Sequence, residues 1–154
     1  MPDYEQHLRA YIEEQHIEAE HLSFEQSCHS VEEAARAVNA TVEDLIKSIC
    51  LLDEEERLVV AIVKGEDRVS TSRVAKALEL PAVRLATPDE MLARTGYPCG
   101  GTPPFGYAAT FLVDQRVMER EVIFGGGGSE NSLVKISPAE MVRANQGKIA
   151  RVRR

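Results

Sequence analysis

The chain has few of the features that announce a function. Cysteine is limited to Cys28, Cys50 and Cys99, odd in number and widely spaced, which argues against a disulfide framework. No apolar run approaches the ~20 residues of a membrane span. The opening Met-Pro-Asp-Tyr-Glu-Gln lacks the charge and apolar core of a signal peptide, so a cytoplasmic location is expected. Basic residues are not in excess: a net charge of −7 argues against an all-over nucleic-acid-binding surface. All four histidines fall within the first 29 residues, and Cys28-His29 is the only close pair of typical metal ligands, so no metal site is expected. Walker, G-x-G-x-x-G and G-x-S-x-G patterns are absent, and no cofactor is implied. No internal repeat is visible.

What is present is an ordinary globular composition, 44% hydrophobic and 28% charged, over a length that suits one domain spanning residues 1–154. Tyr4, Leu8, Tyr11 and Ile12 recur at helical spacing within 3–17. An extended piece at 20–24 follows. Ser30-Val-Glu-Glu33, Thr87-Pro-Asp-Glu90 and Ser137-Pro-Ala-Glu140 each combine an N-cap with an acid three residues on, marking helix starts. A short helical turn is expected from Thr41, and a helix capped by Ser70 through Leu78. The runs 47–52 and 58–63, separated by the acidic turn 53–56, predict an antiparallel hairpin whose second strand is buried on both faces. Further strands are expected at 83–86, 108–113, 121–124 and 133–136, with a helical turn near 116–118. Unevenly interspersed helices and adjacent strands indicate an α+β fold on a mixed sheet. The basic tail, Lys148, Arg151, Arg153 and Arg154, reads as a frayed, solvated end rather than a phosphate-binding arm.

The stretch from Thr95 to Gly106 holds four glycines and three prolines in twelve residues, which excludes a regular helix or central strand. Its shape is expected to come from backbone chemistry rather than from burial. It is long for a plain connection, and it presents amides at Gly100, Gly101, Thr102, Phe105 and Gly106 that a ligand can approach. Lys47 begins a strand and shares a face with Ile49 and Leu51, so by pattern it either snorkels or points into a ligand cleft. Gly125 to Ser129 offers successive amides for an anion nest, or a flexible turn. Asp114 closes a strand and suits a cap for the next turn. Cys99 has no histidine close in sequence to activate it as a nucleophile.

The run Arg84–Gly106 resembles the signature segment of the YbaK/EbsC/ProX family, the free-standing relatives of the editing domain inserted in bacterial prolyl-tRNA synthetases. Gly100 to Pro104 matches the family's G-x-x-x-P loop, and Ile46-Lys47-Ser48-Ile49 matches the context of its strand-start lysine. Pro103 stands where many members have serine, and Glu130-Asn131-Ser132 where several carry a histidine. The resemblance implies a mixed, strongly curved sheet flanked by helices. It also implies a trans-editing enzyme that hydrolyses mischarged aminoacyl-tRNA bearing a small amino acid, by backbone amides and substrate assistance. Lys47, Gly100 and Gly101 would be catalytic; Ser48, Thr102, Pro104, Phe105, Gly106, Asp114, Gly127, Gly128 and Ser129 would bind substrate. The implied partner is the acceptor end of mischarged tRNA, together with an aminoacyl-tRNA synthetase. The alternative is a non-catalytic module that binds aminoacyl-tRNA or a nucleotide beside a synthetase.

Overall fold

The structure, a computed structural model, describes residues 3–25 and 30–154; Cys28 and His29 lie outside them. In chain order the elements are α1 (Tyr4–Glu14), β1 (Ala19–Ser23), α2 (Val31–Val38), β2 (Ile46–Asp53), β3 (Leu58–Lys64), α3 (Thr71–Ala77), β4 (Val83–Leu85), α4 (Pro88–Thr95), β5 (Thr110–Val113), β6 (Ile123–Gly126), β7 (Ser132–Ile136), α5 (Pro138–Asn145) and β8 (Lys148–Ile149). Single 3-10 turns sit at Val42–Asp44 and Val117–Glu119. No helix among the described residues is long and apolar enough to cross a membrane.

The helix starts follow the cap chemistry. Ser30, Ser70, Thr87 and Ser137 each accept the N–H three residues on, satisfying a donor that the first turn leaves unpaired. Thr87 and Glu90 form the full reciprocal box. At α5 the matching Glu140 instead takes the amide of Glu18 at 2.7 Å, tying this helix to the link between α1 and β1.

Five strands form one mixed sheet in the order β4-β2-β3-β5-β8, and three form a second in the order β1-β7-β6. The mixed α+β architecture is thus divided between two sheets, which meet where Leu45 bridges Phe124. β3 is central, antiparallel to β2 and parallel to β5, and every one of its residues is buried. Its alternation splits the core. Leu58, Val60 and Ile62 join one cluster with Cys50, Phe105 and Tyr97, while Val59, Ala61 and Val63 join another with Leu51, Val74 and Val152. Lys64 ends the strand in contact with Glu66 at 3.2 Å.

The edge of β2 is covered unevenly, and this opens the site. β4 pairs with Leu51, Leu52 and Asp53, and the Ala86 amide donates to the Cys50 carbonyl at 2.9 Å. At the other end, Leu45 touches β6. Between these two neighbours, residues 47–49 face no strand on that side among the described residues.

The C-terminal tail departs from the expectation of a frayed end. β8 pairs parallel with β5, Val152 is fully buried, and Arg153 bridges Val69. The anchor is Asp114, itself fully buried. Its Oδ1 accepts the amides of Val152 (2.9 Å) and Arg153 (3.2 Å), and its Oδ2 accepts the Arg116 amide (3.0 Å) and the Arg153 guanidinium (2.8 Å). Burial alone would raise this carboxyl's pKa, but the four hydrogen bonds together hold it below the usual value. Asp114 therefore caps the following turn, as one sequence reading has it, and clamps the tail as well. Its acceptor capacity is used inside the protein, away from the cleft, which corrects its assignment to substrate binding.

Candidate active site

The glycine- and proline-rich segment leaves α4 through Gly96, whose φ of +84° is open to glycine at little cost. Tyr97 and Phe105 are both fully buried, so the segment is pinned into the core near each end. Its carbonyls are then taken one by one. Pro98 accepts the Gly101 amide (2.9 Å) and the Thr102 hydroxyl (3.0 Å). Pro103 accepts the Tyr107 hydroxyl (2.7 Å), and Pro104 the Asn145 amide (3.0 Å). The segment from Gly101 to Phe105 is buried throughout. Burial as well as backbone torsion shapes it, contrary to the expectation from composition.

This loop packs main chain to main chain against the tetraglycine run. A Cβ on Gly101 would lie 2.4 Å from the Ser129 nitrogen, and one on Gly126 would lie 2.3 Å from the Thr102 oxygen. The Gly128 amide donates to the Gly101 carbonyl at 2.8 Å. Glycine is required at both positions because the two loops touch where a side chain would stand.

The uncovered edge of β2, this loop and the end of β6 enclose a cleft of about 370 Å³. Its lining includes Lys47, Ser48, Ile49 and Cys50 of β2, Cys99, Gly100 and Thr102 of the loop, Gly125 and Gly126 of β6, Ser132 and Leu133 of β7, and Ala86 and Met91. Four of the sequence-derived site residues are brought together here: Lys47, Ser48, Gly100 and Thr102. The others are not in the lining. Gly101 spends its amide on Pro98, Pro104 packs against Gly125, Phe105 is a core residue, and Gly106 turns the chain at φ +103° beneath Leu8 and Tyr11. The proposed anion nest is not available as one. The amides of Gly127, Gly128 and Ser129 donate to the Ser132 carbonyl, the Gly101 carbonyl and the Ser132 hydroxyl. That run is a structural turn, held further by His21 on the Gly127 carbonyl at 2.7 Å.

Cys50 and Met91 were not singled out as site residues in the sequence, and Gly125 and Gly126 were read only as the start of the nest. Alternation from Ser48 would have found Cys50, two residues on along the same strand.

The cleft's chemistry is sparse. Lys47 has its pKa lowered, first by burial, then by the nearby Arg68 charge, with Asp67 opposing. Among the described residues it has no ion-pair partner. Ser48 Oγ is buried without a hydrogen-bond partner. Since Cys50 O meets β4, strand alternation directs the Ser48 N–H and C=O to the uncovered side of β2. The amides of Gly100 and Thr102 donate to no group among the described residues. Burial pushes the Cys50 thiol up to about 12, and Cys99 is exposed. Among the described residues no histidine lines the cleft. An activated thiolate or a Ser–His relay is therefore not what these residues assemble.

The family model of the aminoacyl-tRNA editing domain matches residues 25–144, and the chain belongs to this family. The resemblance carried by the Arg84–Gly106 segment is confirmed by that match. The uncharacterized protein YwhH of Bacillus subtilis (strain 168) is 24% identical over 144 residues, 92% of this chain and 91% of that one. A proline–tRNA ligase of Solidesulfovibrio magneticus is 27% identical over 110 residues, which are 70% of this chain and only 19% of the ligase. A crystal structure described as a candidate trans-editing enzyme for prolyl-tRNA synthetase superposes with a TM-score of 0.89 at 23% identity, covering 100% of this chain and 99% of that one. At that identity the likeness is one of fold.

Proposed function

We propose that this protein is a trans-editing deacylase that hydrolyses the ester of an aminoacyl-tRNA carrying a small amino acid. The observation that carries the reading is the cleft itself. Its lining brings together Gly100 and Thr102, whose amides have no partner among the described residues, with Lys47 and the unpartnered Ser48. Ester hydrolysis needs a bound carbonyl, donors aimed at the developing oxyanion, and water. The two amides supply donors with no ionisable group. Ser48, through its hydroxyl and its free strand edge, holds the polar end of the substrate. Lys47 contributes positive charge to the terminal nucleotide or the ester oxygen. The family resemblance implies that the substrate's own ribose hydroxyl helps to activate the water, and the described lining, which holds no histidine, is compatible with that. A volume of about 370 Å³ lies at the small end of ligand sites, which favours a small aminoacyl group.

A panel of mischarged tRNAs tests this directly. Turnover of at least one ester of alanine, cysteine, serine or proline is expected, with esters of large amino acids resistant. Saturable binding of every member without turnover would replace the enzyme with a binding module.

A further inference from the structure

On the far side of the five-stranded sheet, α3 and the ordered tail enclose a second concavity of about 570 Å³. Arg73, Lys76, Lys148 and Arg151 line it, with Glu79 as its one acid. Such a cluster is unexpected on a chain with 25 acidic and 18 basic residues. Five arginines elsewhere, Arg57, Arg84, Arg116, Arg120 and Arg143, each hold a carboxylate at hydrogen-bond distance. The four in the concavity are exposed and, among the described residues, have no ion-pair partner. Lys148 donates only to the Ala77 carbonyl at the end of α3, at 2.9 Å.

The cluster continues toward the cleft. The Arg154 amide donates to the Arg68 carbonyl at 2.8 Å, and Arg68 lies close enough to Lys47 to bear on its charge. Main-chain pairing thus joins the tail that carries Arg151 and Arg154 to Arg68, whose charge reaches Lys47 in the cleft, and these residues with the concavity make up one basic track. The segment carrying half of it is rigidly placed, by β8, by buried Val152 and by the fully engaged Asp114. A solvated tail would need none of these. Unpaired cations held in fixed positions have an uncompensated field, and a repeating anion is what complements it.

We propose that this track binds the phosphodiester backbone of the tRNA whose aminoacyl end enters the cleft. The inference rests on the function proposed above. Its electrostatic consequence is specific: each phosphate contact contributes about 0.7–0.9 to the slope of log affinity against log salt.

The test uses the full chain and uncharged tRNA, with binding measured across a salt series. The combined variant Arg73→Gln, Lys76→Gln, Arg151→Gln removes three charges from exposed positions. Its slope is expected to fall by roughly 2, and its affinity near ~0.1 M salt by at least about tenfold. A charge-matched variant, Arg36→Gln, Arg94→Gln, Lys135→Gln, is expected to change the slope by less than about one unit. An unchanged slope in the first variant, or an equal fall in the second, overturns the proposal. A second readout separates the two ideas. The ratio of kcat/KM on mischarged tRNA to that on aminoacyl-adenosine should drop in the first variant by at least about tenfold. Wild type that hydrolyses neither ester sinks the deacylase reading, while the salt slope still decides the track.

Discussion

Replacing Gly101 with alanine tests whether two loops must meet through their backbones. The new methyl would lie 2.4 Å from the Ser129 nitrogen and 2.5 Å from the Gly128 carbonyl carbon, whereas ordinary contact begins near 3.4 Å. The loops must then part by about 1 Å, since neither listener to the clash is a side chain that can swing away. The run opposite cannot yield freely, because Ser129 is bonded to Ser132 and to Glu5 of α1. Overpacking of this kind costs about 1–3 kcal/mol, and loss of the Gly128–Gly101 hydrogen bond about 0.5–1.5 kcal/mol more. A destabilisation of about 2–4 kcal/mol should lower the melting midpoint of a chain this size by roughly 5–15 °C. Gly96→Ala is the informative contrast. Its site has no neighbour within 4 Å but a φ of +84°, so about 1–2 kcal/mol of backbone strain is its whole cost. Circular-dichroism melts of both variants, with deacylation measured well below each midpoint, make the comparison. Gly101→Ala should also lose at least about 100-fold in rate, because Gly100 and Thr102 move with it. A midpoint for Gly101→Ala within about a degree of wild type would refute the packing argument.

Three further outcomes follow from the same geometry. Lys47→Ala should cut deacylation at least about tenfold while moving stability by less than about 1 kcal/mol, since no ion pair is lost; full activity in the folded variant returns Lys47 to a snorkelling role. Cys99→Ala should retain most activity, and iodoacetamide should label Cys99 in the folded protein far faster than Cys50, whose thiol is buried and held near 12; trapping of an acyl group on Cys99 would contradict this. Asp114→Asn should destabilise by about 3 kcal/mol at neutral pH, as Arg153 loses its buried counter-charge. Because the folded pKa of Asp114 lies below its ordinary 3.8, its contribution is complete above that value and is lost as pH falls through the folded pKa. The gap between wild type and variant should therefore close in strong acid, and a gap independent of pH would remove the charge from the explanation.

Local chemistry made much of the fold legible. Thr87, Ser137 and Ser70 named their helices because a cap acts within three residues, and the β2–β3 hairpin showed in the change from helical to strand spacing. Lys47, Ser48, Gly100 and Thr102 were readable as a group only through the family resemblance, since strand pairing, not sequence, brings them to one cleft. Gly101 shows where local reading stops. Composition reveals that a glycine avoids a side chain, but not what stands in the vacated space. A ligand was the expectation; the Gly128–Ser129 main chain is the occupant. The same limit explains the nest, whose amides looked free until Ser132 and Gly101 were seen to accept them.

Asp114 carries the longest of these non-local dependences, and it changes how the basic tail is understood. From sequence, an aspartate after Leu112-Val113 is a turn cap or a site residue, and a tail rich in arginine is solvated. Each reading is reasonable alone, because nothing within several residues contradicts it. With the two joined across 38 residues by the Val152 amide, the cap reading of Asp114 holds and the solvated reading of the tail does not. A fully buried carboxylate is costly unless its hydrogen bonds are complete, so the tail must be ordered for Asp114 to be tolerated. Conversely, an ordered tail sets the backbone of Arg154 against that of Arg68 and brings Arg151 into the basic concavity, so like charges are gathered more closely than a frayed tail would gather them. The fold thus accepts an unfavourable charge arrangement on one edge and spends a buried acid to maintain it. Such an arrangement is coherent if an anion relieves the repulsion when it binds, which makes the salt dependence of tRNA binding the decisive measurement for that edge.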